Sequence, residues 1–395
     1  MSPTDITCEP SKSNRPMNAR TGDHAGHPET REQTTMREEF GASSIDLDTI
    51  SYDEISDPAV MSKSPLVSVW MITYNHKPYI AQAIEGVLMQ RTSFPFELVI
   101  GEDCSTDGTR EVVLECQKRH PETIRVITSE RNVGMQLNEL RTDKACRGKY
   151  IAYCEGDDYW HHPLKLQKQV DYLESHLDVG LVYTGMDILH DETGGRIPWV
   201  PKPDDYDSQG DTFTRLITSE YGPGTPTVCA RRELVESVKR ANTEFSDPEI
   251  RGTTTALWLE LSRITPFRLI NESMATYRVL PESACHSKSW EKAVLHARFN
   301  YALRLHYIQK YRCPEGVERR IHSEWNTRLL RLAAWSSDSR LAAESLNSLK
   351  SLLIPLRSIH YVDFFCATTR LGPFVYRWIM RPYGGFRRRF VRNRS

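Results

Sequence analysis

The chain has 395 residues, 39% of them hydrophobic and 26% charged, with a formal net charge of −1. That length can bury one large core of about 230 residues plus extensions. The nine cysteines are odd in number and contain no CxxC pair, which argues against a disulfide framework or a structural zinc site and favours free thiols in a reducing compartment.

Residues 1–64 carry 12 acidic and 6 basic residues, two aromatics (Phe40 and Tyr52) and no sustained periodicity. Such a composition does not offset the entropy of ordering, so a disordered acidic leader is expected there. It lacks the basic-then-apolar pattern of a secretory signal. Leu66 to Ile72 is a short apolar run suited to a buried parallel strand, and it ends in the polar residues Thr73, Tyr74, Asn75 and His76. Pro78 to Gln90 has helical spacing, with Ile80, Ala83, Ile84, Val87 and Leu88 on one face. Phe96 to Ile100 predicts the next strand, followed by a polar turn from Gly101 to Thr109 that opens a helix with Thr106 or Asp107 as N-cap. Ile124 to Thr128 and Tyr150 to Cys154 predict two further strands.

The last of these runs into Glu155-Gly156-Asp157-Asp158-Tyr159-Trp160, three carboxylates within four residues. Crowded carboxylates repel one another unless a cation sits among them, and hard divalent ions take oxygen ligands from one or two carboxylates, water and substrate phosphates. An ordinary solvated acidic turn fits the same four residues. Strands alternating with helices imply right-handed crossovers and ligands at the carboxyl ends of the strands. The loops at 73–76, 101–106 and 155–158 all lie at that end and can converge on one ligand.

Thr73-Tyr74-Asn75, the stretch Glu102 to Thr109, Asn132-Val133-Gly134, and Glu155 to Trp160 followed by Pro163-Leu164-Lys165-Leu166-Gln167-Lys168-Gln169 together resemble glycosyltransferase family 2. The resemblance runs from about Pro65 to His286. It implies an α/β, Rossmann-like GT-A fold with a mostly parallel central sheet flanked by helices, here with a helical C-terminal extension. It also implies a hexosyltransferase-type enzyme that moves a sugar with inversion from a nucleotide diphosphate donor, usually UDP-linked, onto a hydroxyl acceptor. Carried over by the resemblance, Thr73, Tyr74 and Asn75 line the nucleotide pocket with Glu102, and Asp103 accepts from the uracil ring N–H. Asp157 holds the ribose or the metal, and Asp158 holds the Mg2+ or Mn2+ bridging the phosphates. Glu155 stands at the first acidic position, and which of the three touches the ion stays open. His286, closing the run Glu282 to His286, is a candidate further ligand. His161 and His162 are adjacent, so their side chains diverge and both are expected to be loop residues. Trp160 suits either stacking on a sugar or base or core packing; the Gly222–Thr227 loop resembles the acceptor-side loop of the family, which implies that Thr225 or Thr227 faces the sugar.

One position departs from the family. The general base is usually an Asp or Glu just before an apolar helix, where this chain reads Arg251 to Glu260 with Thr254 at the carboxylate position. Thr is no base near neutral pH, so Asp247 and Glu249 upstream become candidates; a solvated turn explains the same two residues, which leaves a base elsewhere or a weak or inactive enzyme as the alternatives.

Pro266 to Ile270 and Ala275 to Val279 predict two strands, closing a catalytic domain at 65–287. Residues 288–355 have apolar spacing for three helices, an extension that packs on the catalytic domain or serves a partner. Residues 356–395 form a basic aromatic tail: from Arg370 to Ser395 there are eight Arg, no acidic residue and six aromatics. That pattern suits an anionic membrane surface, although a solvated basic tail is the plainer alternative, and no nucleic-acid partner is expected. No stretch reaches the roughly 18 to 20 apolar residues that span a bilayer, so attachment is expected to be peripheral. The expectation is therefore a cytoplasmic enzyme, peripheral at the cytoplasmic membrane face, acting on a glycan or lipid-linked acceptor. Its rivals are a non-catalytic nucleotide-sugar binding module and a sugar nucleotidyltransferase.

Overall fold

The computed structural model describes residues 51–199, 212–218, 222–242, 254–280 and 289–369. Its strands are β1 (Asp53–Ile55), β2 (Val67–Thr73), β3 (Phe96–Glu102), β4 (Ile124–Thr128), β5 (Tyr150–Tyr153), β6 (Tyr159–Trp160), β7 (Leu181–His190), β8 (Gly195–Trp199), β9 (Cys229–Arg231) and β10 (Phe267–Val279). They share one sheet in the order β1-β4-β3-β2-β5-β9-β7-β10-β6, with β8 paired to β7. The neighbours β4, β3, β2 and β5 are parallel, as are β7 and β10, and β9 joins the two groups by antiparallel pairing.

The alternation of β2 explains the layers. Val67, Val69 and Met71 face one hydrophobic cluster, built with helices α1 (Ile80–Leu88), α2 (Thr109–Arg119) and, after α3 (Met135–Ala145), α4 (Lys165–Ser175). Trp70 faces the other, which contains Ala145 of α3 and side chains of α5 (Thr212–Thr218), α6 (Arg232–Ala241) and α7 (Thr254–Ile264). Period-two alternation with both faces apolar is what a helix-covered parallel sheet requires. The Rossmann-like, helix-flanked architecture expected from the sequence is present.

The leader expectation needs correction at its end. Residues 53–55 form β1 and pair antiparallel with β4, Asp53 opposite Thr128. The reason is tertiary. Arg125 donates to both carboxylate oxygens of Glu54 at 2.8 Å and to Glu97 at 3.1 Å. Glu97 is fully buried and also accepts from Ser68 Oγ at 2.6 Å, from the Arg147 backbone N–H at 3.0 Å and from the Arg147 guanidinium at 2.6 Å. This cluster ties the amino ends of β2, β3 and β4 to the residues before them, and composition alone does not reveal it. Residues 1–50 lie outside the described residues.

Two other elements differ from expectation. The strands expected at 266–270 and 275–279 are one strand, β10, parallel to β7 throughout, with register shifts around Ser273. The helical extension forms as α8 (Trp290–Tyr311), α9 (Glu315–Ser336) and α10 (Ser339–Ser351), but a fourth helix, α11 (Ser358–Thr368), occupies part of the stretch assigned to the tail. Its residues His360, Asp363, Cys366 and Ala367 are buried, and Val362 and Cys366 pack with Ala334 of α9. The extension is joined to the sheet domain by Lys310 Nζ on Glu260 Oε1 of α7 at 2.7 Å and by Arg304 Nε on the Ile217 carbonyl at 3.1 Å.

Removing one member of a buried ion cluster leaves the rest uncompensated, so Glu97→Ala should lower the free energy of unfolding by about 3–5 kcal/mol. Urea titration followed by circular dichroism measures this. A loss within the scatter of exposed-site controls would refute the role given to Glu97.

Candidate nucleotide and metal site

The three polar loops do converge at the carboxyl ends of β2, β3 and β5. The Asn75 N–H donates to Ser105 Oγ at 3.0 Å, the Thr106 N–H to Asn75 Oδ1 at 2.9 Å, and the Lys77 N–H to Asp107 Oδ2 at 3.0 Å. These bonds lock the first two loops together, with Asn75 and Cys104 in left-handed backbone at φ 55° and 57°. Asn adopts that region readily, while Cys does so only where its surroundings fix it. Gly108 takes the N-cap position of α2, one residue later than expected, and Asp107 accepts from the Thr109 N–H at 2.9 Å. The third loop is held by the Gly156 N–H on the Ile72 carbonyl at 2.9 Å. A Cβ at residue 156 would lie 2.7 Å from Thr73 Oγ1 and 2.8 Å from Thr73 Cβ, so only glycine allows the acidic loop to sit this close to β2.

Glu155, Asp157 and Asp158 each offer a carboxylate oxygen to a common point, the three atoms lying within 4.8 Å of one another. Asp158 is 1% exposed; its Oδ1 accepts from the Arg278 backbone N–H at 2.8 Å, and its Oδ2 is buried without a partner. Burial first, then the charges of Asp157 and Glu155, hold the Asp158 carboxyl well above the usual carboxylate range. Burial, Asp157 and Glu139 push Glu155 up to about 8. An orphaned buried acceptor costs about 1–3 kcal/mol, more when charged. A hard divalent cation relieves both the missing partner and the repulsion, so these residues fit Mg2+ or Mn2+.

Around this point the expected residues divide. Tyr74 is 44% exposed beside the loops, whereas Thr73 is buried, with Oγ1 3.3 Å from His76 Nδ1. Glu102 is fully buried and shapes its own loop, accepting from the Cys104 and Ser105 N–H groups at 3.2 and 2.7 Å. Asp103 is 2% exposed and accepts from the Val133 and Gly134 N–H groups at 2.9 Å each, with Arg141 at 3.4 Å. Its carboxylate thus holds the 132–134 turn, where the resemblance implied a direct uracil contact. Thr227 is buried and donates to the Gly224 carbonyl at 2.6 Å, which withdraws it from the acceptor side; Thr225 stays half-buried. Trp160 is core, its Nε1–H on the Pro226 carbonyl at 2.8 Å and Lys165 Nζ 4.1 Å from its ring centroid. Lys165 is fully buried, which pushes its ammonium down to about 8. His161 bridges to Thr276 Oγ1 at 3.1 Å and the Ser273 carbonyl at 3.0 Å, in keeping with a loop role. Thr254 opens α7. Asp247, Glu249 and His286 lie outside the described residues.

Arg278, Tyr79 and Asp191 were not singled out from sequence. Tyr79 Oη donates to Asp191 Oδ2 at 2.9 Å, and the Arg278 guanidinium lies 5.1 and 4.8 Å from the Tyr79 and Tyr159 ring centroids. No local pattern marks them, because Arg278 meets Asp158 across 120 residues of chain.

Residues 68–229 match the family model of Glycosyl transferase family 2, so this segment of the chain is a domain of that family. An uncharacterised protein of Mycobacterium tuberculosis is 40% identical over 126 residues, 32% of this chain and 36% of that protein. The chain therefore spans about a third of the length of the mycobacterial relatives it matches. TuaG of Bacillus subtilis, named for teichuronic acid biosynthesis, is 29% identical over 255 residues, 63% of this chain and 93% of TuaG. Among solved structures, Staphylococcus aureus TarS 1–349 in complex with UDP-GlcNAc superimposes with a TM-score of 0.45 at 17% identity, covering 79% of this chain and 91% of that one.

The raised carboxyl pKa of Glu155 has a signed consequence. The folded state holds its proton more tightly than the unfolded state, so the stabilisation is full below about 4.5 and is lost as pH rises through about 8. Urea midpoints in chelator-treated buffer should therefore fall across that window, and Glu155→Gln should flatten the fall. A pH-independent midpoint in the parent protein would contradict the buried, like-charged arrangement.

Proposed function

We propose that the protein is an inverting, metal-assisted glycosyltransferase. It takes a hexose from a nucleotide diphosphate donor, UDP-linked, to a hydroxyl of a glycan or lipid-linked acceptor. The observation that carries this reading is the partnerless, buried Oδ2 of Asp158 within the acidic triad at the strand ends. Bound there, Mg2+ or Mn2+ would act as the Lewis acid for the charge developing on the leaving diphosphate. Glu155, Asp157 and Asp158 would supply its protein ligands, with His286 as a candidate fourth. Tyr74 offers an exposed ring to the base with exposed Asn75 beside it, and the buried Thr73, Glu102 and Asp103 act by fixing the loops. Glu249 or Asp247 removes the acceptor's proton. The name of TuaG supports a surface-polysaccharide acceptor. No described helix is long and apolar enough to cross a membrane, and the reading places the enzyme peripherally at the cytoplasmic face.

One observation favours a second reading, a nucleotide-sugar binding module: Thr254 opens α7 at the position where a carboxylate base is usual. Calorimetry with UDP, GDP and ADP, with and without Mn2+, tests the donor site. UDP alone should bind, only with metal, and Asp158→Ala should abolish the signal. In turnover assays with a panel of UDP-sugars, one of Glu249→Ala and Asp247→Ala should lower kcat by about 10²–10⁴-fold. Donor binding with no turnover of any sugar would favour the binding module, and absence of nucleotide binding would end both readings.

A further inference from the structure

We propose that the exposed face of α11, with the adjoining end of α9, is the surface by which this chain lies on an anionic lipid bilayer. This deepens the peripheral-membrane part of the reading above and rests on it. Tyr361 and Phe365 stand one turn apart on α11 and are 55% and 57% exposed, while His360, Asp363, Cys366 and Ala367 on the other side are buried in the helical bundle. Ile359 at the start of the helix is 36% exposed and Leu353 just before it 79%. The packing of Val362 and Cys366 against Ala334 brings the end of α9 alongside, where Trp335 is 48% exposed. Five of the fourteen large apolar side chains exposed in the described residues thus fall within a stretch of 31, a concentration that scattered surface apolars do not show.

Charge selects the occupant. Residues 289–369 hold 12 basic and 7 acidic residues, and residues 370–395 add eight Arg and no acid, whereas residues 1–288 hold 31 basic and 45 acidic. A chain of net charge −1 therefore concentrates its positive charge in the C-terminal part of its sequence. Anionic headgroups attract Lys and Arg near the surface, and Tyr, Phe and Trp sit at headgroup level with their rings against the acyl boundary. A second copy would set two basic regions against each other. Nucleic acid would meet the arginines but gain nothing from Leu353 and Ile359.

Co-sedimentation of the full chain with vesicles of phosphatidylcholine, alone or with phosphatidylglycerol, tests this. The chain should bind only the anionic vesicles, with affinity falling as salt rises. The Tyr361→Ser, Phe365→Ser double variant should bind about tenfold more weakly, from the lost apolar insertion. Its circular dichroism and its Mn2+-dependent UDP binding should be unchanged. The proposal fails if the parent protein leaves anionic vesicles in solution, or if the double variant binds them as well as the parent. It also fails if the variant merely converts a dimer to a monomer in ultracentrifugation, or if the parent prefers single-stranded RNA to vesicles. Vesicle binding without any nucleotide binding would sink the enzyme reading and leave this surface standing.

Discussion

Three carboxylates held within 4.8 Å, one of them 1% exposed with an orphaned oxygen, are an arrangement that a folded chain does not keep for its own stability. Desolvation and mutual repulsion both disfavour the charged forms, and the raised carboxyl pKa values of Glu155 and Asp158 express that penalty. Much of the surrounding structure serves to impose it. Gly156 lets the loop approach Thr73, and the Arg278 N–H fixes Asp158 Oδ1. The parallel strands deliver the three loops to one end of the sheet. Strain of this kind is tolerable where a ligand relieves it, and it locates the site more firmly than any acidic motif does alone.

The opposite end of the sheet shows the contrasting solution. There Glu97 is equally buried, but Ser68, Arg125 and Arg147 satisfy it completely. A buried carboxylate with all its donors present is structural, and one with an empty lone pair beside two like charges points to an ion. Glu102 and Asp103 belong to the first kind despite lying at the same strand ends as the acidic triad. Their oxygens are engaged by the backbone N–H groups of residues 104, 105, 133 and 134, which gives the loops fixed shapes before any donor arrives.

The parallel core was legible because its strands are short, apolar on both faces and punctuated by polar turns, so β2 to β5 and their loops follow from local pattern. The acidic triad was legible for the same reason, its residues being adjacent in sequence. What stayed hidden depends on partners far along the chain. β1 follows from Glu54 meeting Arg125, and Arg278 matters through its backbone N–H, which no side-chain motif encodes. α11 lay within a segment whose Arg and aromatic content masked its helical spacing. The inward turn of Asp103 is set by a loop 30 residues away. Family pattern supplied expected residue roles, and the packing shows which of those side chains are exposed and which are engaged by the protein itself.

As proposed above, the acidic triad is a cation site serving a diphosphate. Electron paramagnetic resonance of free Mn2+, titrated against the protein with and without UDP, addresses it most directly. The account predicts one Mn2+ bound per chain, tightened by UDP and lost in Asp158→Asn while the variant keeps its fold. Mn2+ that stays free throughout, or that Asp158→Asn retains unchanged, would contradict it.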